Sequence, residues 1–171
     1  KSNQDAKEKG LPAPDVFSVS QEDNVIGFAT PADTELLKEN DGAESAILLD
    51  FINYLADGIK DEFPDAFIDT LAYYSGEKAP TKIRPRDNVI IRLTDTTSNL
   101  IEPITAPRNH LFHDNVVAWS KIAKNLRVWD YAINYSYTGL PTPTAHTYPI
   151  DVKFWKAHNV EGIFVEHEAP I

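Results

Sequence analysis

Five short runs of continuous apolar residues punctuate the chain, and between them apolar positions recur at intervals of three and four. The first run, Asp15-Val-Phe-Ser-Val-Ser20, is rich in β-branched and aromatic residues, and polar groups return only at Gln21–Asn24, which predicts a short strand. Ala66–Tyr74, Asn88–Leu93, Leu126–Tyr131 and Gly162–Glu166 predict four more. Ile47, Leu48, Phe51, Ile52, Leu55 and Ile59 form the apolar stripe of an intervening helix. Asp41 and Glu44 have capping-box spacing and place its start near Asp41, with its end near Phe63-Pro64. Val116, Val117, Trp119, Ile122 and Ala123 predict a helix from Asp114 to Asn125, and Pro149 opens a last one that Asn159 closes. Leu11–Pro14 breaks any preceding helix, and Val25–Asn40, with Gly27 and Pro31, is expected to be a long irregular connection.

Strands separated by amphipathic helices imply parallel βα units. At the spacing of the predicted strand starts, a closed eight-unit barrel would need about 290 residues. The chain has 171 and holds about five such units. The expected fold is therefore α/β, with residues 1–171 forming one domain of about five parallel βα units, short of a complete (β/α)8 TIM-type barrel. An open doubly wound sheet is the competing architecture. Its nucleotide-binding version finds no support, because no Gly-x-Gly-x-x-Gly follows the first strand.

A formal net charge of −10 repels phosphate backbones and argues against a nucleic-acid partner. No apolar run approaches the roughly 20 residues that span a bilayer. With no cysteine, disulfides and thiolate–zinc sites are excluded, and no cofactor or metal motif is present. Methionine is absent even at position 1, which suits a processed or excised segment.

In parallel α/β folds, chemistry gathers where strands end. Those ends carry Gln21, Glu22, Asp23 and Asn24, then Tyr73 and Tyr74, Thr94 and Asp95, Asp130 and Tyr131, and Glu166, His167 and Glu168. Aromatic rings stack on the apolar faces of sugars and carboxylates bind hydroxyls. A carboxylate pair can also supply the acid and the base or nucleophile of glycoside cleavage. The candidate catalytic residues are thus Asp23, Glu22 and Glu166, with Gln21, Tyr73, Arg92, Trp129, Asp130 and Tyr131 as substrate-binding candidates. The plainer alternative makes Glu22 and Asp23 solvated loop or capping residues. Trp129 and Tyr131 share one face of their strand, which leaves both a core role and an exposed ring open. Arg92 interrupts an apolar strand and demands an anion, either an internal carboxylate or an acid group of a substrate. His110 and His113, placed in a connection before a helix, lack a second ligand pair. No Gly-x-Ser-x-Gly elbow supports serine hydrolysis.

Ser18–Asp23, Phe63–Asp65 through Thr70–Tyr73, Ile83–Leu93, Val128–Tyr131 and Gly162–Phe164 resemble, in this order, the domain of unknown function DUF4838. The resemblance covers about Val16 to Glu166. It implies a glycoside-hydrolase-like TIM barrel of secreted bacterial proteins, notably of Bacteroidetes, with these strands as the last five of eight. It further implies a secreted, periplasmic or cell-surface location, a carbohydrate partner and other domains of the same parent chain. Gln21 and Asp23 match the family's Ser-Gln-Asn-Asp strand end, with Glu22 in place of the amide. A Cys-x-x-Cys-like element is replaced by Thr30-Pro-Ala-Asp33. The last strand keeps a carboxylate at Glu166 but drops a following glycine. These departures sustain an alternative, a non-catalytic carbohydrate-binding or scaffold domain on a degenerate barrel. An unrelated small α/β fold is a third reading.

Overall fold

The computed structural model describes residues 8–10, 15–23, 30–137 and 142–167. Leu11–Pro14, Asn24, Gly27 and Glu168 lie outside the described residues. Five strands form one sheet: β1 (Val16–Ser18), β2 (Phe67–Ala72), β3 (Val89–Thr94), β4 (Asn125–Tyr131) and β5 (Val160–Glu166). Each pairs in parallel with the next, so the spatial order is the chain order. Parallel crossovers are right-handed, so a strictly sequential order keeps turning the same way and lays the helices on one face. The result is a curled half-barrel with alternating helices, the arrangement of the last part of a βα barrel. No described helix is long and apolar enough to cross a membrane.

The helices are α1 (Pro31–Glu39), α2 (Ser45–Ile59), α3 (His110–Trp119) and α4 (Tyr148–Ala157). Strand side chains alternate between faces. Val89, Ile91 and Leu93 of β3 and Leu126 and Val128 of β4 therefore point to the helices. There they bury against Leu49, Ile52 and Ala56 of α2, Phe112, Val116 and Trp119 of α3, and Trp155 of α4. The opposite, concave face carries Asp69, Leu71, Arg92, Thr94, Arg127, Trp129, Tyr131, Phe164 and Glu166, which share its register rows.

Several boundaries differ from expectation for identifiable reasons. Part of the stretch expected to be irregular is α1, whose start is fixed by a capping box. Thr30 Oγ1 accepts from the Asp33 amide at 3.2 Å, and the Asp33 carboxylate accepts from the Thr30 amide at 3.1 Å. Pro31 sits in the first turn, where its missing N–H costs nothing. The box expected at Asp41–Glu44 does not form, because Asp41 and Gly42 have φ of 56° and 71° and make the left-handed exit from α1. The Gly42 amide closes that exit on the Leu37 carbonyl. α2 therefore starts at Ser45 with Glu44 as an uncapped first position, and it ends at Ile59 rather than Phe63. α3 begins at His110, after a 3₁₀ turn at Pro107–Asn109, so His110 and His113 lie on a helix rather than before one. Asn125 opens β4 instead of closing α3, and its amide donates to the Asp87 and Val89 carbonyls. Asn159, at φ 59°, does make the expected left-handed exit before β5.

Two buried asparagines pin the breaker-rich segment between β2 and β3 without secondary structure. Asn40 Oδ1 accepts from the Lys82 and Ile83 amides. Asn53 donates to the Arg84 carbonyl and accepts from the Arg86 amide. Backbone groups that no strand satisfies are thereby paired. The exit of β2 is held in place as a result.

Candidate functional site

At the carboxyl ends of the strands lies a cleft of about 520 Å³, lined chiefly by Tyr73, Tyr74, Tyr131, Tyr135, Asp95 and the 98–101 loop. This is the face at which parallel α/β folds place ligands. β2 leaves through Tyr73 in extended conformation and Tyr74 at φ 50°. A left-handed aromatic residue costs on the order of 1–3 kcal/mol and persists only where its surroundings enforce it. Here it turns the half-exposed Tyr74 ring into the cleft, 4.2 Å from that of Tyr73.

The exit of β1 is laced onto β2. Ser20 Oγ accepts from the Leu71 amide, and Gln21 donates its side-chain amide to the Tyr73 carbonyl at 3.4 Å. The Tyr73 hydroxyl then donates to Asp23 Oδ1 at 3.0 Å. Burial raises the Tyr73 hydroxyl above the usual phenol range, and the nearby Tyr74 and Asp23 add to it. Gln21 and Asp23 thus hold the ring wall in place. Glu22, between them, is exposed.

Two residues before Tyr131 on the same face of β4, and outside the cleft lining, the Trp129 ring packs on Phe164 with centroids 4.3 Å apart. Its indole N–H donates to Glu166 Oε2 at 3.0 Å, and the Tyr135 hydroxyl donates to the other carboxylate oxygen. Tyr131 stands edge-on to Tyr135, 6.2 Å between centroids. Burial pushes the Tyr131 hydroxyl up to about 12, and the charges of Glu166 and Asp23 contribute from its two sides. Asp23 and Glu166 therefore stand at one end of the sheet, both within electrostatic reach of Tyr131. Each accepts a hydrogen bond from a cleft tyrosine.

Beneath this rim is a buried acidic floor. Asp95 accepts from the Thr97 and Ser98 amides, yet burial still raises it to about 6. Asp130 lies on the opposite face of β4 from Trp129 and Tyr131, because side chains alternate, and so sits under the rim rather than on it. Burial raises Asp130 to about 7, the charge of Asp95 adds to the rise, and the Tyr148 hydroxyl opposes it. Glu77 reaches about 7, again chiefly through burial, with the Thr96 hydroxyl hydrogen bond opposing. Asp151, raised by burial, accepts from the Ile104 amide at 2.7 Å. Among the described residues, no group of three or more His, Cys, Asp or Glu could hold a metal ion.

Arg92 is not at the rim. It lies two residues below the end of β3 on the concave face, and its Nη2 and Nε donate to Asp69 Oδ2 at 2.8 and 3.3 Å. Its anion is thus an internal carboxylate with a side chain only 4% exposed. Asp69→Asn is expected to cost about 2 kcal/mol, the worth of a charge-assisted bond to a buried partner, as read by urea unfolding.

Sequence reasoning singled out most of the rim but not Tyr135, Glu77 or Asp151. The aromatic density of Tyr131–Tyr137 was a usable signal for Tyr135. Glu77 and Asp151 reach the floor only through tertiary packing, which no local spacing encodes. No curated protein and no solved structure matches the chain. Residues 5–170 match the model of a family described as Domain of unknown function (DUF4838), and the chain belongs to that family.

Proposed function

We propose that the domain binds a complex glycan in the cleft at the carboxyl ends of its strands, as part of a glycoside-hydrolase-like barrel in an exported parent protein. The observation that carries this reading is the wall of four tyrosines, Tyr73, Tyr74, Tyr131 and Tyr135, around a cleft of about 520 Å³. Two of these rings, Tyr73 and Tyr135, are held by hydrogen bonds from their hydroxyls to Asp23 and Glu166, and rings so fixed offer sugars flat apolar faces at little ordering cost on binding. Binding to an array of neutral and acidic oligosaccharides tests the reading. Tyr131→Ala is expected to weaken whichever glycan is retained roughly tenfold, as the loss of one stacking ring would. An empty array, or unchanged affinity in that variant, refutes it.

Hydrolysis is the second reading, favoured by one observation. Asp95 lines the cleft, and burial pushes its carboxyl up to about 6, the direction a proton donor needs. In this scheme Asp95 joins Asp23 and Glu22 as a candidate proton donor, and Glu166 is the second carboxylate. Glu166→Gln keeps an acceptor for Trp129 or Tyr135. It is therefore expected to abolish glycan turnover while changing affinity less than threefold. If the wild-type chain binds a glycan and releases no product from it, the scaffold reading replaces the enzymatic one.

A further inference from the structure

We propose that a small cavity behind the cleft wall binds one water molecule, which accepts a hydrogen bond from the Trp155 indole and links the carboxyls of Asp95, Asp130 and Asp151. The cavity measures about 20 Å³, room for one water and little else. The ends of β3 and β4, the 98–109 segment and α4 supply its walls, and both strands have a neighbour on either side. Asp151 and Trp155 stand one turn apart on the same face of α4. Trp155 is 2% exposed, and among the described residues its indole N–H meets no acceptor. Native interiors pair such a group with protein or with ordered water, because leaving it unmade is unfavourable.

The walls select the occupant. An indole N–H only donates, so the occupant must accept, and carboxylates accept, so it must donate as well. The N–H turns a cation away, the three acids turn an anion away, and an apolar group satisfies neither. Water does both. Asp95 accepts from the Thr97 and Ser98 amides and Asp151 from the Ile104 amide, which fixes two of the walls. Asp95 lines the cleft as well as this cavity. The other titratable groups facing the acids are Tyr131 of β4, Tyr148 beside Asp130, His146, whose charge reaches Asp151, and Glu102, which pairs with Arg108. On the hydrolytic reading above, the water gives Asp95 a reserve. When Asp95 releases its proton into the cleft, the water hands one proton to Asp95, takes one from Asp130 and is itself unchanged. That consequence rests on the hydrolytic reading, whereas the water site does not.

The test therefore uses the chain without any glycan. Water contacts in nuclear Overhauser spectra locate a buried water, and water-oxygen relaxation dispersion counts the long-lived ones. The Trp155 indole proton is expected to show a slow-tumbling contact to water, and that of Trp119, which donates to the Glu77 carbonyl, to show none. Trp155→Phe keeps most of the bulk and loses the donor. It should lower the dispersion amplitude by one water and raise the Asp130 midpoint in a carboxyl-carbon titration by roughly half a pH unit or more, as lost solvation would. If that variant does not fold, the contrast between the Trp155 and Trp119 indoles in the wild-type chain decides alone. A Trp155 indole without a water contact, a Trp155→Phe chain with the wild-type dispersion amplitude, or an Asp130 midpoint that stays put when the water is lost overturns the proposal.

Discussion

Unfolding free energy should fall by on the order of 6 kcal/mol as pH rises from 5 to 8, the reverse of what salt-bridged carboxylates produce. Asp95, Asp130 and Glu77 are raised to about 6, 7 and 7 by burial, against ordinary values near 3.8 and 4.5. Between those limits the folded state binds more protons than the unfolded chain, so stability declines with pH. Their contribution is complete below about pH 4 and is lost as pH climbs through 7. Asp57, held below the usual carboxylate range by Lys60 and Arg86, acts in the opposite sense and only at acid pH. The overall charge of −10 also favours lower pH, so the measurement needs a control. Asp130→Asn should flatten the profile of urea midpoints and stabilise the protein at pH 8. Asp61→Asn, which removes an exposed charge, should leave the slope nearly as it was. A wild-type profile that rises from pH 5 to 8 would show that the floor is ionised and solvated.

Trp119→Ala should destabilise the fold by about 4 kcal/mol in urea unfolding. The ring is 1% exposed at the end of α3, and its indole N–H donates to the Glu77 carbonyl at 2.8 Å. Truncation leaves a large cavity in the core and orphans a buried carbonyl. Trp119→Phe fills most of that volume and loses chiefly the hydrogen bond, so it should cost about half as much. The indole bond also ties the core to the loop that carries Glu77. The alanine variant is therefore expected to weaken the acidic floor's pH response along with the fold. A loss below about 1 kcal/mol would mean that α3 does not seal the sheet.

The periodicities that expose strands and helices were sufficient for the parallel half-barrel, because each strand's apolar run and each helix's stripe are local facts. α1 was not legible as a helix. It has no buried residue, and hence no apolar stripe, and its only signal is the Thr30–Asp33 capping box. The false box at Asp41–Glu44 shows the converse: the right side chains at the right spacing cannot cap when the backbone between them is left-handed. At the site, strand alternation was enough to put Trp129 and Tyr131 on one face. The same alternation turns Asp130 away from them, although it too ends the strand. Arg92 required an anion by its burial alone, but which anion depended on the β2–β3 register that brings Asp69 within reach. The roles of Asp23 and Glu166 as acceptors from cleft rings depend on contacts across 50 and 31 residues of chain, beyond any spacing rule.

The most direct test of glycan binding at the strand ends is an amide-resonance titration of isotopically labelled protein with an oligosaccharide retained on the array. Perturbations confined to Tyr73, Tyr74, Asn99–Ile101 and Tyr131–Tyr135 are the predicted result, with the outer faces of α2 and α3 silent. Perturbations centred on those helices, or none at saturating oligosaccharide, would contradict a carbohydrate site in the cleft.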